Sequence, residues 1–280
     1  MNEGPDTSGP FFVLAGKPNA LFAAAATALY NPRQQGRHSL IPAGPEPLFM
    51  DEIEQRWLYA LSAPLVALNP DADYAAPTYC FDLKHVDVEG GWGITTRAQL
   101  LDMLSTADTG HATSLNDAYR QWERCLPSEW QALLDTLDTR QRAFYELANR
   151  TFGECGAGGI RAWDIGRMGF LLRSAVLHGW IDLTESLWLH GRMAARARYY
   201  YDSWTSYLNG FVIGKAFWHC LGNKDEELAH EYDRQGDYIG TTVVIRKLDR
   251  DAREFFAQLP WDMPLHLPER PDSLGEFDWS

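Results

Sequence analysis

The chain reads as a mainly α-helical, single-domain irregular bundle with at most one or two short strands, and three observations carry that expectation. N-cap signals recur ahead of apolar runs: Thr96 stands three residues before Gln99, Ser128 before Gln131, Asp138 before Gln141 and Asp182 before Glu185. Apolar residues fall at helical spacing, as at Ile53, Trp57 and Leu61. Third, residues 162–220 hold three helix-length apolar segments punctuated by Gly179 and by Asp202-Ser203.

Taken in order, residues 1–17 form a polar leader, and Pro18 to Tyr30 is an alanine-rich helix ended by Asn31-Pro32. A Gly- and Pro-rich loop follows, then a helix within Leu48 to Leu61. The stretch from Asp71 to Gly91 is mixed, and its Thr78-Tyr-Cys-Phe81 fits a short strand. The Thr96 cap starts a helix running towards Ser105, with Gly110-His111 in the loop after it. Two short helices, opened by the caps at Ser128 and Asp138, lead into the run Gly153-Glu-Cys-Gly-Ala-Gly-Gly159. The core is organised by helices 162–178, 184–201 and 204–220. Residues 221–280 form an acidic C-terminal extension, packed on the core or trailing from it. Within it, Glu226 to Asp237 is charged and helical, the β-branched Thr241-Thr-Val-Val-Ile245 fits a strand, and Asp249 to Leu259 regains helical spacing. Prolines 264, 268 and 271 keep the end extended, draped on the core through Trp261 and Trp279.

The glycine run admits two readings. It can cradle an anion on backbone amides, or it can end one helix and turn sharply into the next. A dinucleotide fingerprint needs a preceding strand and a third glycine, but Leu147 to Phe152 reads as a helix end and Arg161 stands where that glycine belongs. No Lys-Ser/Thr follows either, so the turn is the preferred reading.

Charge is uneven along the chain. The net charge is -13, with 11 basic and 19 acidic residues in 1–150, 7 and 5 in 151–220, and 7 and 14 in 221–280. Acidic flanks disfavour nucleic acid, which requires clustered Lys and Arg, and suit a basic protein partner. Four dispersed cysteines without C-x-x-C fit reduced thiols, the N-terminus lacks the basic region of an export signal, and Ala20 to Tyr30 is too short for a membrane span. A cytoplasmic protein is expected, with neither membrane nor nucleic acid as partner.

Five charged residues form the candidate polar cluster. Asp164 and Arg167 are one helical turn apart, Glu185 opens the next helix, and Arg192 and Arg196 share one of its faces, where they repel unless acids lie between them. They are expected to form a partly buried network with Asp164 and Glu185 as counter-charges. The alternative is an enzyme or small-ligand pocket in which one of those acids transfers a proton beside an anion-binding arginine cluster. Gly210 and Gly214 are spaced for close helix approach, with Trp218 one turn further on. The histidines lack metal-site spacing, and no G-x-S-x-G elbow is present. Cys155, in the glycine-rich turn before a helix, is the one candidate for an activated thiol. No cofactor and no metal are expected.

The residues Ala162-Trp-Asp-Ile-Gly-Arg167, then Gly179-Trp-Ile181 with Glu185, Asp202-Ser-Trp204 and Gly214-x-x-x-Trp218, together resemble the bacterial domain-of-unknown-function family 1266. Trp92-Gly-Ile94 with Arg97 and Leu100 is similar to that family's upstream element. The resemblance spans about residues 50–220 and marks Trp92, Trp163, Gly166, Trp204, Gly214 and Trp218 as its packing residues. It implies a mainly helical bacterial domain with no established activity, cofactor or catalytic residue. The functional expectation is a non-enzymatic binding protein for a basic partner, such as an immunity protein neutralising a toxin. The rivals are the enzyme or sensor described above and a chaperone-like adaptor with several clients.

Overall fold

The segment from Arg161 to Leu177 carries apolar or small residues on every face, so the helix it forms has to be enclosed by others. The computed structural model describes residues 50–69, 72–80, 88–222, 224–225, 227–228 and 238–275. The expected leader, the helix at 18–30, Phe81, Trp279 and nearly all of the charged helix at 226–237 lie outside the described residues.

The elements are α1 (Glu52–Ala60), α2 (Ala63–Val66), α3 (Val88–Trp92), α4 (Arg97–Ser105), α5 (Thr113–Arg124), α6 (Pro127–Leu134), α7 (Thr139–Cys155), α8 (Arg161–Leu177), α9 (Leu183–Tyr200), α10 (Trp204–Cys220), α11 (Tyr238–Asp251) and α12 (Arg253–Ala257). Helix α8 is the axis: thirteen of its seventeen residues are buried, and it packs on α9, α10, α2 and α4. A second layer, α5 on α7, joins through α10. The latter places Phe211 and Val212 in the main core and Ile213 and Phe217 in the smaller one, beside Leu115, Tyr119 and Leu147.

The capping residues act as anticipated. Thr96, Asp138 and Asp182 accept the amides of Gln99, Gln141 and Glu185, and Ser203 caps α10. The glycine run ends α7 and opens α8, with Gly156 at φ 63° and Gly159 at φ 57°, backbone states that favour glycine. The amides at the α8 N-terminus are engaged internally. The Tyr201 hydroxyl accepts from Ala162 N at 2.8 Å and donates to the Gly159 carbonyl at 2.8 Å.

Three expectations are corrected, and one helix was missed. No strand occurs among the described residues. Residues 241–245 lie inside α11, because Val244 and Leu248, one turn apart, are both buried and tertiary burial outweighs β propensity. Residues 78–80 bend instead of pairing: Arg173 takes the carbonyls of Asp73 and Ala76 nearby, and Tyr79 stacks on Phe170 with centroids 4.5 Å apart. Helix α6 starts with Pro127 at its first position and Leu126 as its N-cap, Glu129 accepting from Leu126 N at 2.8 Å, so the cap at Ser128 was two residues late. Helix α5 went unanticipated because its N-cap is Ala112, which offers no side-chain acceptor.

The end of the chain is part of the packing. Trp57 Nε1 donates to Pro260 O at 2.9 Å, Trp204 Nε1 to Leu259 O at 2.6 Å, and Trp261 Nε1 to Tyr201 O at 3.1 Å. The three indoles lie 4.8 to 5.4 Å apart. Further along, the buried Glu54 carboxylate accepts from His266 N at 3.0 Å, and Leu274 is fully buried.

Two predictions follow from this packing. A Cβ at Gly214 would stand 2.5 Å from the Cβ of Trp163, so Gly214→Ala is expected to lower unfolding stability by about 2 kcal/mol in urea titrations. His190 is fully buried, its Nδ1 bonded to Ser186 O at 2.8 Å, and burial lowers its pKa to about 4. Below pH ~6.5 the unfolded chain therefore takes up a proton that the fold refuses. Stability should fall as pH drops from there towards 4, by about 3 kcal/mol in full. The difference between wild type and His190→Gln, measured at intervals from pH 7 to 5, isolates this contribution. A flat difference would sink it.

Candidate functional site

Asp164 sits in the first turn of α8, where the helix dipole favours a carboxylate, and is 1% exposed. Its Oδ2 accepts from Ala112 N at 2.8 Å and its Oδ1 lies 2.9 Å from His111 Nδ1. Arg167 Nη1 lies 3.5 Å from the same Oδ1 and 2.8 Å from His111 Nδ1, so carboxylate, imidazole and guanidinium meet at one point. Gly110 makes the approach possible, since a Cβ there would fall 2.6 Å from the carboxyl carbon. One side chain thus fixes both the 109–112 loop and the start of α5.

Aromatic rings close over this pair. The Arg167 guanidinium lies 4.4 Å from the Trp92 ring centre and 5.5 Å from that of Trp163. Trp163 in turn packs on Phe211 at 5.2 Å and Trp218 at 5.7 Å. Burial lowers the Arg167 pKa and Asp164 opposes the shift. Gly166 brings α8 against Phe211 and the Leu61 carbonyl, while Gly214 brings α10 against Trp163 and Ile160. Trp204 stands apart from this group, in the cluster with Trp57 and Trp261.

The other charged residues have their own partners. Glu185, 5% exposed, takes a two-pronged contact from Arg97 at 2.9 and 2.6 Å, donors from Ser273 Oγ and Asp182 N, and so ties α4, α9 and the C-terminal strap together. Burial alone would raise its pKa, but the bonds from Arg97, Ser273 and Asp182 prevail and hold it below the ordinary value. Arg196 is matched by Asp108 at 2.8 Å. The Arg192 guanidinium lies 5.9 Å from the Trp188 ring centre. Of the five residues in the anticipated cluster, only Asp164 and Arg167 share a node.

Sequence reasoning missed His111, Asp108 and Ser273 as partners, although Gly110-His111 is a visible pair of a small residue and a donor. Cys155 departs from the activated-thiol reading: burial pushes its pKa up to about 12, and its Sγ donates to Thr151 O at 3.2 Å. Among the described residues, no His, Cys, Asp and Glu side chains gather in a metal-binding group, and no helix is long and apolar enough to cross a membrane.

A carboxylate orienting a histidine is an arrangement that can steer proton transfer, but here it also clamps a loop to the central helix. Removing the acid leaves a largely buried guanidinium without its counter-charge. Asp164→Ala should therefore cost about 3 kcal/mol of stability. In a double-mutant cycle, His111→Ala should couple to it by about 1 kcal/mol, and strict additivity would contradict the clamp.

A family model described as "Protein of unknown function (DUF1266)" matches residues 87–261. The Escherichia coli K12 protein named "Uncharacterized protein YbeU" is 35% identical over 236 residues, covering 81% of this chain and 98% of the relative. "Uncharacterized protein YbeR" of the same strain is 34% identical over 232 residues, covering 81% and 99%. No solved structure matches. With a family model matching residues 87–261 and relatives matched along most of its length, the chain belongs to the DUF1266 family.

Proposed function

We propose that the protein is a non-enzymatic binding module that holds a basic protein partner. The observation that carries this reading is the internal engagement of the charged residues of the central hairpin: Asp164 with His111 and Arg167, Glu185 with Arg97, and Arg196 with Asp108. An enzyme or sensor built on those five side chains would need them to converge on one open cleft. With them engaged as scaffolding, recognition falls to the exterior, and the negative charge resides in the segments flanking residues 151–220, -8 before them and -7 after them. The narrower form of the proposal is an immunity protein that neutralises a toxin of opposite charge, one partner tightly held, as opposed to the many clients of an adaptor.

Purification of the tagged chain from its native host at low ionic strength tests the reading. A single basic protein is expected at near-equal stoichiometry, released as salt rises and the screening length shrinks from ~10 Å at 0.1 M to ~3 Å at 1 M. Recovery of the chain alone, together with no protection against the product of a neighbouring toxin gene, would count decisively against it.

A further inference from the structure

A groove of about 540 Å³ opens between the end of α7 and the turn from α9 to α10, with Phe152, Gly153 and Glu154 on one wall and Tyr199, Tyr200 and Asp202 on the other. Two of its residues have no account inside the fold. Gly153 lies in the last turn of α7, exposed, where a Cβ would meet nothing within 4 Å. A glycine inside a helix sacrifices stability relative to alanine, and here no turn, positive φ or packed neighbour compensates for that loss. It leaves open space on the groove wall. Glu154 is half-buried, no described cation pairs with its carboxylate, and burial pushes its pKa up.

The remaining lining fits the same occupant. Asp202 adds a second carboxylate, held by Ser203 Oγ at 3.0 Å and Ser206 Oγ at 2.9 Å. Tyr199 is 81% exposed at the rim, and the neighbouring Tyr200 already takes the Arg161 guanidinium at 4.2 Å from its ring centre, the contact that a further cation can make. Arg198 also lines the groove, but its guanidinium is held 4.2 Å from the Trp57 ring centre and donates to Met263 O.

Resting on the function proposed above, the geometry points to this groove as the seat for an extended cationic segment of the partner protein. A lysine or arginine of that segment meets the Glu154 carboxylate, and its backbone lies close along Gly153. The groove receives the charge and the missing Cβ admits the chain.

The test uses the full chain and a fluorescein-labelled hexa-arginine peptide, with affinity read by anisotropy at low salt. Glu154→Gln and Gly153→Leu are each expected to weaken binding about tenfold, a typical loss for a central contact. Glu123→Gln, which removes the same charge from an exposed site on α5, should change it less than about twofold. Gly153→Ala, in parallel, should raise the thermal midpoint by about 2 to 4 °C, so lost affinity at this position cannot be ascribed to damaged folding. Equal, small losses in both acid variants with none in Gly153→Leu would overturn the groove while leaving a diffuse acidic interface standing. Absence of any peptide binding would overturn the groove as well, whereas the broader reading is decided by the co-purification.

Discussion

The fold depends on enclosing α8 from every side, and that enclosure depends on how near its neighbours can come. Gly214 lets α10 lie against Trp163 and Ile160, Gly210 lies against the Gly159 carbonyl and the Tyr201 hydroxyl, and Gly166 receives Phe211. At such distances the helix backbones themselves are in contact, so close packing at these positions has no slack to absorb a methyl group. The polar cost of enclosing a helix that bears Asp164 and Arg173 is met by donors and acceptors from other elements. Arg173, fully buried, bonds Ser62 Oγ at 3.2 Å and Ala76 O at 2.9 Å. Its pKa is lowered to about 10 by burial, so the guanidinium stays charged and its bonds hold α2 and the 73–76 segment against α8.

The same logic explains why the ionic residues form separate nodes. A buried carboxylate with Arg97, Ser273 and Asp182 as donors has no capacity left for a distant arginine, and Asp164 is equally committed to Ala112 and His111. Each node joins segments far apart in sequence. Such contacts set geometry more than they add stability, because the desolvation of both partners offsets much of their attraction. They place the loops in register around the axis.

Most helices were legible because their signals are local. A side-chain cap at Thr96, Asp138, Asp182 or Ser203 needs only residues within one turn, and the helix ending before Gly179 needs only the φ of 68° that this glycine supplies. What escaped was decided by distant partners. Helix α5 has an alanine at its cap and is anchored by Asp164, fifty-two residues away. The β-branched run at 241–245 turns helical because Val244 and Leu248 reach a core that the local sequence does not contain. The candidate site was half legible for the same reason. Asp164 and Arg167 are a turn apart on one helix and were paired by spacing alone, whereas His111, Asp108 and Ser273 arrive through tertiary contacts that periodicity cannot show.

The extent of the match to relatives bears on what the cooperative unit is. The family model begins at residue 87, yet Trp57, Leu58 and Leu61 of the preceding segment are completely buried in the main core. Tyr207 Oη donates to the Leu61 carbonyl at 2.8 Å, and a Cβ on Gly169 would meet that of Ser62 at 3.3 Å, so α10 and α8 both rest on this segment. Beyond residue 261, Ser273 and Leu274 complete the contacts of Glu185 and the core. Residues 87–261 would by themselves leave Trp204 without its contact to Trp57 and uncover the part of α8 that rests on Leu61 and Ser62, at about 1.5 to 3 kcal/mol for each large side chain exposed. The alignments with YbeU and YbeR, at 236 and 232 residues, are longer than the family segment and must take in part of these flanks. The flanking helices and the C-terminal strap therefore belong to the folded unit of this chain, the body on which the groove beside Gly153 is formed.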